Sequence, residues 1–304
     1  MTRVAAVDCG TNSVRLLISD VTGSAKSDLA RRMQIVRLGE GVDRTGRLSD
    51  EAIERTRRAL VDYAAEIAAL GVERVRMCAT SASRDASNAA DFRAMVRATL
   101  GVEPEVISGD VEARLSFTGA VHGLRADPPY LVVDIGGGST EFVVGSSTVD
   151  AAISVDIGCV RMTERHLHSD PPTAAEVAAA EADITAAVDR ALAAVPGRTA
   201  STLVGLAGSV TTVTALALDL DGYVTERIHH ARISVADVAR VTKSLLDMTV
   251  AERLALPVMH PGRADVIGAG ALVLKAIMER SGQSTVVASE HDILDGIAWS
   301  LADR

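Results

Sequence analysis

Two short segments, Val7-Asp8-Cys9-Gly10-Thr11-Asn12-Ser13 and Val133-Asp134-Ile135-Gly136-Gly137-Gly138-Ser139, share one pattern. In each, an apolar run ends on an Asp, a glycine turn with hydroxyl side chains follows, and a second apolar run begins. Such a segment reads as strand, tight turn, strand. Its recurrence about one domain length further along a 304-residue chain predicts two related half-molecules facing one ligand. Turns rich in Gly, Ser and Thr present backbone N–H groups at close range, which suits phosphate. An Asp at the strand end suits a hydrated divalent cation. The pair therefore predicts phosphoryl transfer or phosphate hydrolysis.

The flanking pattern extends each copy into an α/β half. Arg3 to Asp8 and Val14 to Asp20 read as the first two strands, and Met33 to Leu38 as a third. Ser49-Asp50-Glu51 opens a helix whose apolar positions Ile53, Leu60, Tyr63, Ile67 and Leu70 keep helical spacing up to Gly71. A strand at Val75 to Ala79, a helix at Asp91 to Leu100, a short strand at Glu105 to Ile107 and a helix at Asp110 to Val121 complete this half. Arg125-Ala126-Asp127-Pro128-Pro129 reads as a linker, so the expected domains are 1–124 and 125–304. The second half restarts with strands at Tyr130 to Asp134, Glu141 to Val144 and Ala151 to Val155. Helices follow at Ala174 to Ala194, Val235 to Met248, Ala264 to Arg280 and Ile293 to Asp303, the last able to pack back on the first domain. Strands are expected at Thr202 to Ala207 and Thr285 to Ala288.

Composition narrows the partners. A hydrophobic fraction of 48% with 23% charged residues fits folded domains with real cores. Aromatics are only 2%, so a groove that stacks nucleic-acid bases is disfavoured. The net charge of −9 argues in the same direction, since nonspecific nucleic-acid binders are basic. Cys9, Cys78 and Cys159 have no metal-type spacing and sit in apolar surroundings, which predicts buried thiols in a reducing compartment, the cytoplasm. The chain opens directly on a strand pattern, without a secretory leader, and no apolar run reaches the ~20 residues that span a membrane.

Three segments carry the candidate chemistry. The first is the turn with Thr11, Asn12 and Ser13, which alone also fits an ordinary hairpin. The second is Gly136-Gly137-Gly138-Ser139-Thr140-Glu141. Three consecutive glycines cost backbone entropy, and close approach to a ligand is a reason to keep them. The third is Gly205-Leu206-Ala207-Gly208-Ser209-Val210-Thr211-Thr212, between a strand and a helix. There Gly208 and Ser209 either bind an anion at the helix N-terminus or simply cap it through Ser209.

With Thr80-Ser81-Ala82-Ser83-Arg84-Asp85-Ala86, Ile107-Ser108-Gly109-Asp110-Val111-Glu112-Ala113-Arg114-Leu115 and Arg263-Ala264-Asp265-Val266-Ile267, these strings resemble the exopolyphosphatase and guanosine pentaphosphate phosphohydrolase family. That family lies within the actin, Hsp70 and sugar-kinase superfamily. The resemblance implies two ribonuclease-H-like, actin-like α/β domains with an inter-domain cleft, in the short two-domain form. It implies that Glu112 orients and deprotonates the attacking water. It implies Mg²⁺ held by Asp8, Asp134 and Glu141. It implies phosphate binding by Thr11, Asn12, Ser13, Arg84, Gly136, Gly137, Gly138, Ser139, Gly208 and Ser209. Without it, Glu112 reads as an exposed first-turn glutamate and Arg84 as a solvated loop charge.

The sequence departs from the family pattern in places. Val111 stands where an acid often precedes the catalytic glutamate, and Gly268 where a Pro often stands. Asp292-Ile293-Leu294-Asp295-Gly296 replaces a Gly-Leu-Arg-Glu-Gly-like string, with loss of a positive charge. The expected function is exopolyphosphatase, with successive phosphates running onto Arg15, Arg84 or Arg114, and a homodimer extending that groove. Alternatives are guanosine pentaphosphate hydrolysis, linked to the stringent response, a non-catalytic sensor of polyphosphate or nucleotide, and a sugar kinase.

Overall fold

The computed structural model describes residues 1–23 and 25–302. The chain divides into two compact units, and the division falls between Gly119 and Ala120. The first unit contains β1 (Thr2–Cys9), β2 (Ser13–Thr22), β3 (Ala25–Ile35), α1 (Val42–Thr45), α2 (Asp50–Ala69), β4 (Arg74–Ala79), α3 (Ser81–Asp85), α4 (Ala89–Leu100), β5 (Glu105–Val106) and most of α5 (Gly109–Val121). The C-terminal helix Ile293–Ala302 also belongs to it; the expected helix end at Asp303 lies outside the described residues. The second unit contains β6 (Tyr130–Ile135), β7 (Thr140–Gly145), β8 (Val149–Val155), α6 (Cys159–His166), α7 (Ala174–Ala194), β9 (Thr202–Leu206), α8 (Ala207–Ala217), α9 (Thr225–Ile228), β10 (Arg232–Ser234), α10 (Val235–Asp247), α11 (Val250–Leu254), α12 (Ile267–Ser281) and β11 (Thr285–Ala288).

The sheets repeat one topology. The first runs β3-β2-β1-β4-β5, and the second, read from its far edge, runs β8-β7-β6-β9-β11 with β10 added. In both, the opening hairpin is antiparallel and the next neighbour of the first strand is parallel to it. The duplicated turns thus sit at the same topological point of two actin-like α/β units, at the carboxyl ends of central strands, where open α/β sheets bind ligands.

Side-chain alternation explains why β1 is almost continuously apolar. Ala5, Val7 and Cys9 pack toward α2 and α4, with Leu60, Tyr63 and Phe92. Val4 and Ala6 point the other way, with Leu17 and Cys78, onto Ile293, Leu294, Ile297 and Leu301 of the C-terminal helix. Asp8 has the parity of Val4 and Ala6, so it belongs to the face that the C-terminal helix covers.

Three expectations change. The third strand spans Ala25–Ile35, not residues 33–38. It is a mostly exposed sheet edge with few apolar residues, so no alternation marks it; pairing with β2 from Thr22↔Ala25 to Ser13↔Ile35 does. Helix α8 begins at Ala207 with Leu206 as its cap, so Ser209 lies inside the helix and does not cap it. Helix α12 begins at Ile267 with Val266 as its cap, and residues 264–266 form a turn that follows the short 3₁₀ segment Pro261–Arg263.

Helix α7 begins with a capping box, in which Thr173 Oγ1 accepts from the Glu176 N–H and Glu176 accepts from the Thr173 N–H. Thr173→Ala is expected to lower unfolding free energy by about 1 kcal/mol in denaturant titrations. The backbone and hydroxyl donors of Thr173 hold the Glu176 pKa down to about 2. A lowered folded-state pKa contributes stability above the ordinary carboxylate range and loses it as pH falls toward about 2. Glu176→Gln should therefore flatten the acid limb of the stability curve.

All three cysteines are free and buried. Burial pushes the Cys78 thiol up to about 12 and raises Cys9 and Cys159 too, which makes them packing residues and not nucleophiles. No helix among the described residues is long and apolar enough to cross a membrane.

Candidate active site

The first-unit site starts at the turn after β1. The Gly10 N–H donates to the Ser13 carbonyl (2.9 Å) and closes it. The Thr11 carbonyl accepts from Gly39 N–H (2.8 Å), and the Asn12 carbonyl from Val36 (3.0 Å) and Arg37 (2.8 Å). Arg37 has a left-handed φ of 48°, a conformation of the kind that collects at functional turns. In a trans peptide the N–H of the next residue points opposite to the carbonyl. The N–H groups of Asn12 and Ser13 are therefore aimed away from residues 36–39. The Thr11 hydroxyl is buried against Ser81 Oγ (2.9 Å), so Thr11 offers backbone rather than hydroxyl to a ligand.

Asp8 faces Arg15 in the β1–β2 register, and Arg15 Nη2 and Nε donate to its Oδ2 at 2.7 and 3.0 Å. Asp8 also pairs with Cys78 in the β1–β4 register. Glu112 sits in the first turn of α5, with its N–H bonded to the Ser108 carbonyl (3.0 Å). It is 9% exposed, not the solvated residue its composition suggests. Arg84, on α3, donates through Nη1 to the Ile107 carbonyl (2.8 Å) and to Glu112 Oε2 (3.3 Å). Arg84 thus ties the end of β5 to the carboxylate, and it holds Glu112 as an ion pair in a partly dry setting.

The second-unit turn is built alike. The Gly136 N–H donates to the Ser139 carbonyl (3.0 Å). Here the loop carbonyls face helix α6: Gly136 accepts from Cys159 (2.9 Å), Gly137 from Val160 (2.9 Å) and Arg161 (3.1 Å), and Gly138 from Arg161 Nε (2.7 Å). The N–H groups of Gly137, Gly138 and Ser139 consequently point to the opposite side, as three adjacent donors suited to a phosphate. A Cβ at Gly158 would lie 2.2 Å from the Gly137 carbonyl oxygen, so the close approach of α6 to the loop depends on that glycine.

Asp134 faces Glu141 in the β6–β7 register, the position that Arg15 occupies in the first unit. Two acids on one face concentrate negative charge. Glu141 is 1% exposed, and its Oε1 accepts from Ser139 Oγ and Ser154 Oγ, both at 2.8 Å. Its geometry is that of a residue fixing the turn through Ser139.

Gly208 and Ser209 lie in the first turn of α8, next to Ala207 with φ 67°. The Arg263 guanidinium lies on Gly208: a Cβ there would be 2.1 Å from Arg263 Cζ. Arg263 Nη1 also donates to Thr212 Oγ1 (3.3 Å). Ser209 packs on Gly270, where a Cβ would come within 2.2 Å of its Oγ. Arg114 pairs with Asp110 on its own helix at 3.0 Å and is well exposed.

Each unit carries a carboxylate near a strand end beside its N–H turn, Asp8 in the first and Asp134 in the second, and a carboxylate is a donor type that hydrated Mg²⁺ takes. No cluster of three or more acidic, His or Cys side chains that would cage an ion occurs among the described residues. Reading from sequence assigned no role to Arg263 or Gly158. The Arg-Ala-Asp string marked Arg263, but only the fold brings it to Gly208; Gly158 carries no mark at all.

A family model for the Ppx/GppA phosphatase family matches residues 17–304. Exopolyphosphatase 2 of Mycobacterium tuberculosis is 52% identical over 316 aligned positions, covering 99% of both chains. The crystal structure of an exopolyphosphatase-like protein superposes with a TM-score of 0.96 at 41% identity, covering 100% of this chain and 99% of that one. The Aquifex aeolicus member of the Ppx/GppA family gives 0.84 at 31% identity, again covering 100% and 99%.

Proposed function

The chain belongs to the Ppx/GppA phosphatase family, and from that premise we propose an exopolyphosphatase in which Glu112 activates water against the terminal phosphate of linear polyphosphate. The observation that carries the mechanism is the buried Glu112 carboxylate held by Arg84, in the unit whose turn aims the Asn12 and Ser13 N–H groups outward. Water oxygen bonds to the terminal phosphorus as the bridging P–O bond breaks. The proton passes to Glu112, and the shortened chain leaves with the bridging oxygen. Charge on the phosphates is met by the N–H groups of residues 12–13 and 137–139, by Gly208 and Ser209, and by the remaining N–H groups of Arg84. Asp8 and Asp134 would hold Mg²⁺, which when bound supplies neutralising charge for phosphate oxygens; in this reading Glu141 serves through Ser139. The free cysteines fit the cytoplasm. A homodimer completes the reading, and sedimentation at twice the monomer mass checks it.

Guanosine pentaphosphate is the second reading, and one observation favours it. In a chain poor in aromatics, flat rings gather beside α8. His229 and His230 stack at 3.7 Å, and His291 lies 4.5 Å from His229. The Tyr223 hydroxyl bridges Thr211 Oγ1 (2.8 Å) and Glu290 Oε1 (2.6 Å), and the Glu290 N–H donates to His229 Nδ1 (3.1 Å). The deciding experiment measures Mg²⁺-dependent phosphate release from long polyphosphate, short polyphosphate and guanosine pentaphosphate. Release from the nucleotide alone removes the first reading.

A further inference from the structure

We infer that Gly296, on the C-terminal helix, is a positioning residue for Glu112, an inference that rests on Glu112 being the base. A Cβ at Gly296 would lie 2.0 Å from the Leu115 carbonyl oxygen, 2.7 Å from its carbonyl carbon and 3.0 Å from its Cα. Leu115 is on α5, about one turn beyond Glu112. The two helices therefore meet backbone to backbone, with no side chain between them to yield. Any side chain at 296 displaces α5, and α5 carries Glu112 in its first turn.

The C-terminal helix is itself held firmly, so it acts as the reference against which α5 is set. Asp295, 1% exposed, accepts from Arg31 Nη2 (2.8 Å) and pairs with Lys26 Nζ (3.0 Å), both from β3. Arg76 Nη1 donates to Ser300 Oγ (2.7 Å) and Arg74 Nη1 to the Leu301 carbonyl (2.9 Å), both from β4. Ile293, Leu294, Ile297 and Leu301 pack with Val4, Ala6, Leu17, Val21 and Cys78 of the sheet. The Asp-Gly pair in the departing string at 292–296 thus has a use: Asp295 fixes the helix, and Gly296 lets α5 seat on it. Glu112 keeps its 3.3 Å distance to Arg84 only while that seat is kept.

The test is steady-state phosphate release from long polyphosphate by the full chain. Gly296→Ala is expected to lower kcat about 10-fold or more with KM within about twofold, because misplacing a reacting group acts on the transition state. Gly222→Ala, with nothing within 4 Å of its Cβ, is the control and should leave kcat and the melting temperature unchanged. Where Gly296→Ala does not fold, Asp295→Asn decides: a lowered kcat at unchanged KM supports the inference, and a wild-type kcat overturns it. A folded Gly296→Ala protein with wild-type kcat, or one changed only in KM, overturns it as well. Glu112→Gln is run beside them; if it retains the wild-type rate, the base assignment itself has failed, whatever Gly296→Ala does.

Discussion

Glu112→Gln should lower phosphate release from polyphosphate by about 10²–10⁴-fold, the usual contribution of a general base. The substitution keeps the shape of the side chain and removes only its ability to take a proton. Arg84 retains its 2.8 Å bond to the Ile107 carbonyl, so the guanidinium is not stranded and the fold should survive. Because the base acts on the chemical step, kcat should carry the loss and KM should move little. Circular dichroism and thermal melting establish that the variant is folded. A folded Glu112→Gln enzyme at the wild-type rate would falsify the mechanism.

Gly158→Ala has the second largest expected effect. Its φ of −111° suits any residue, so the objection to alanine is purely steric. The new methyl would meet the Gly137 carbonyl oxygen at 2.2 Å, the Gly137 carbonyl carbon at 2.3 Å and Gly138 N at 2.5 Å. These are backbone atoms, and the hydrogen bonds from Cys159, Val160 and Arg161 leave the loop little freedom to retreat. We expect a loss of about 1–3 kcal/mol in stability from overpacking. Phosphate release should fall by about 10²-fold, since turning the loop re-aims the Gly137, Gly138 and Ser139 donors. Gly222→Ala is the matched control, with nothing within 4 Å of its Cβ. Equal stability and equal turnover for the two variants would show that the loop is not held by α6.

Much of the architecture was legible because it is written in local spacing. The β1 and β6 turns, the Ser49 cap of α2, the α7 boundaries at Ala174 and Ala194, and the Gly101 stop of α4 all follow from residues within a few positions of one another. The elements that escaped were those without such marks. The polar edge strand β3 is defined by its partner β2, and the short helices α1, α3, α9 and α11 are too brief to build a periodic face. Glu112 and Arg84 were named from a resemblance of strings, and neither burial nor pairing was visible in their own surroundings.

By itself, then, the sequence determined that two glycine turns ending on Asp8 and Asp134 recur in two α/β halves, since strand, turn and cap preferences are properties of neighbouring residues. The tertiary structure alone decided what those turns face. It turned the loop carbonyls inward so that the Asn12, Ser13, Gly137, Gly138 and Ser139 N–H groups point out. It joined Arg84 to Glu112 across 28 residues, and Arg15 to Asp8 by sheet register. It laid Gly158 on Gly137 and Gly296 on Leu115. These contacts join residues that chain spacing does not relate, and close packing of the folded chain creates them.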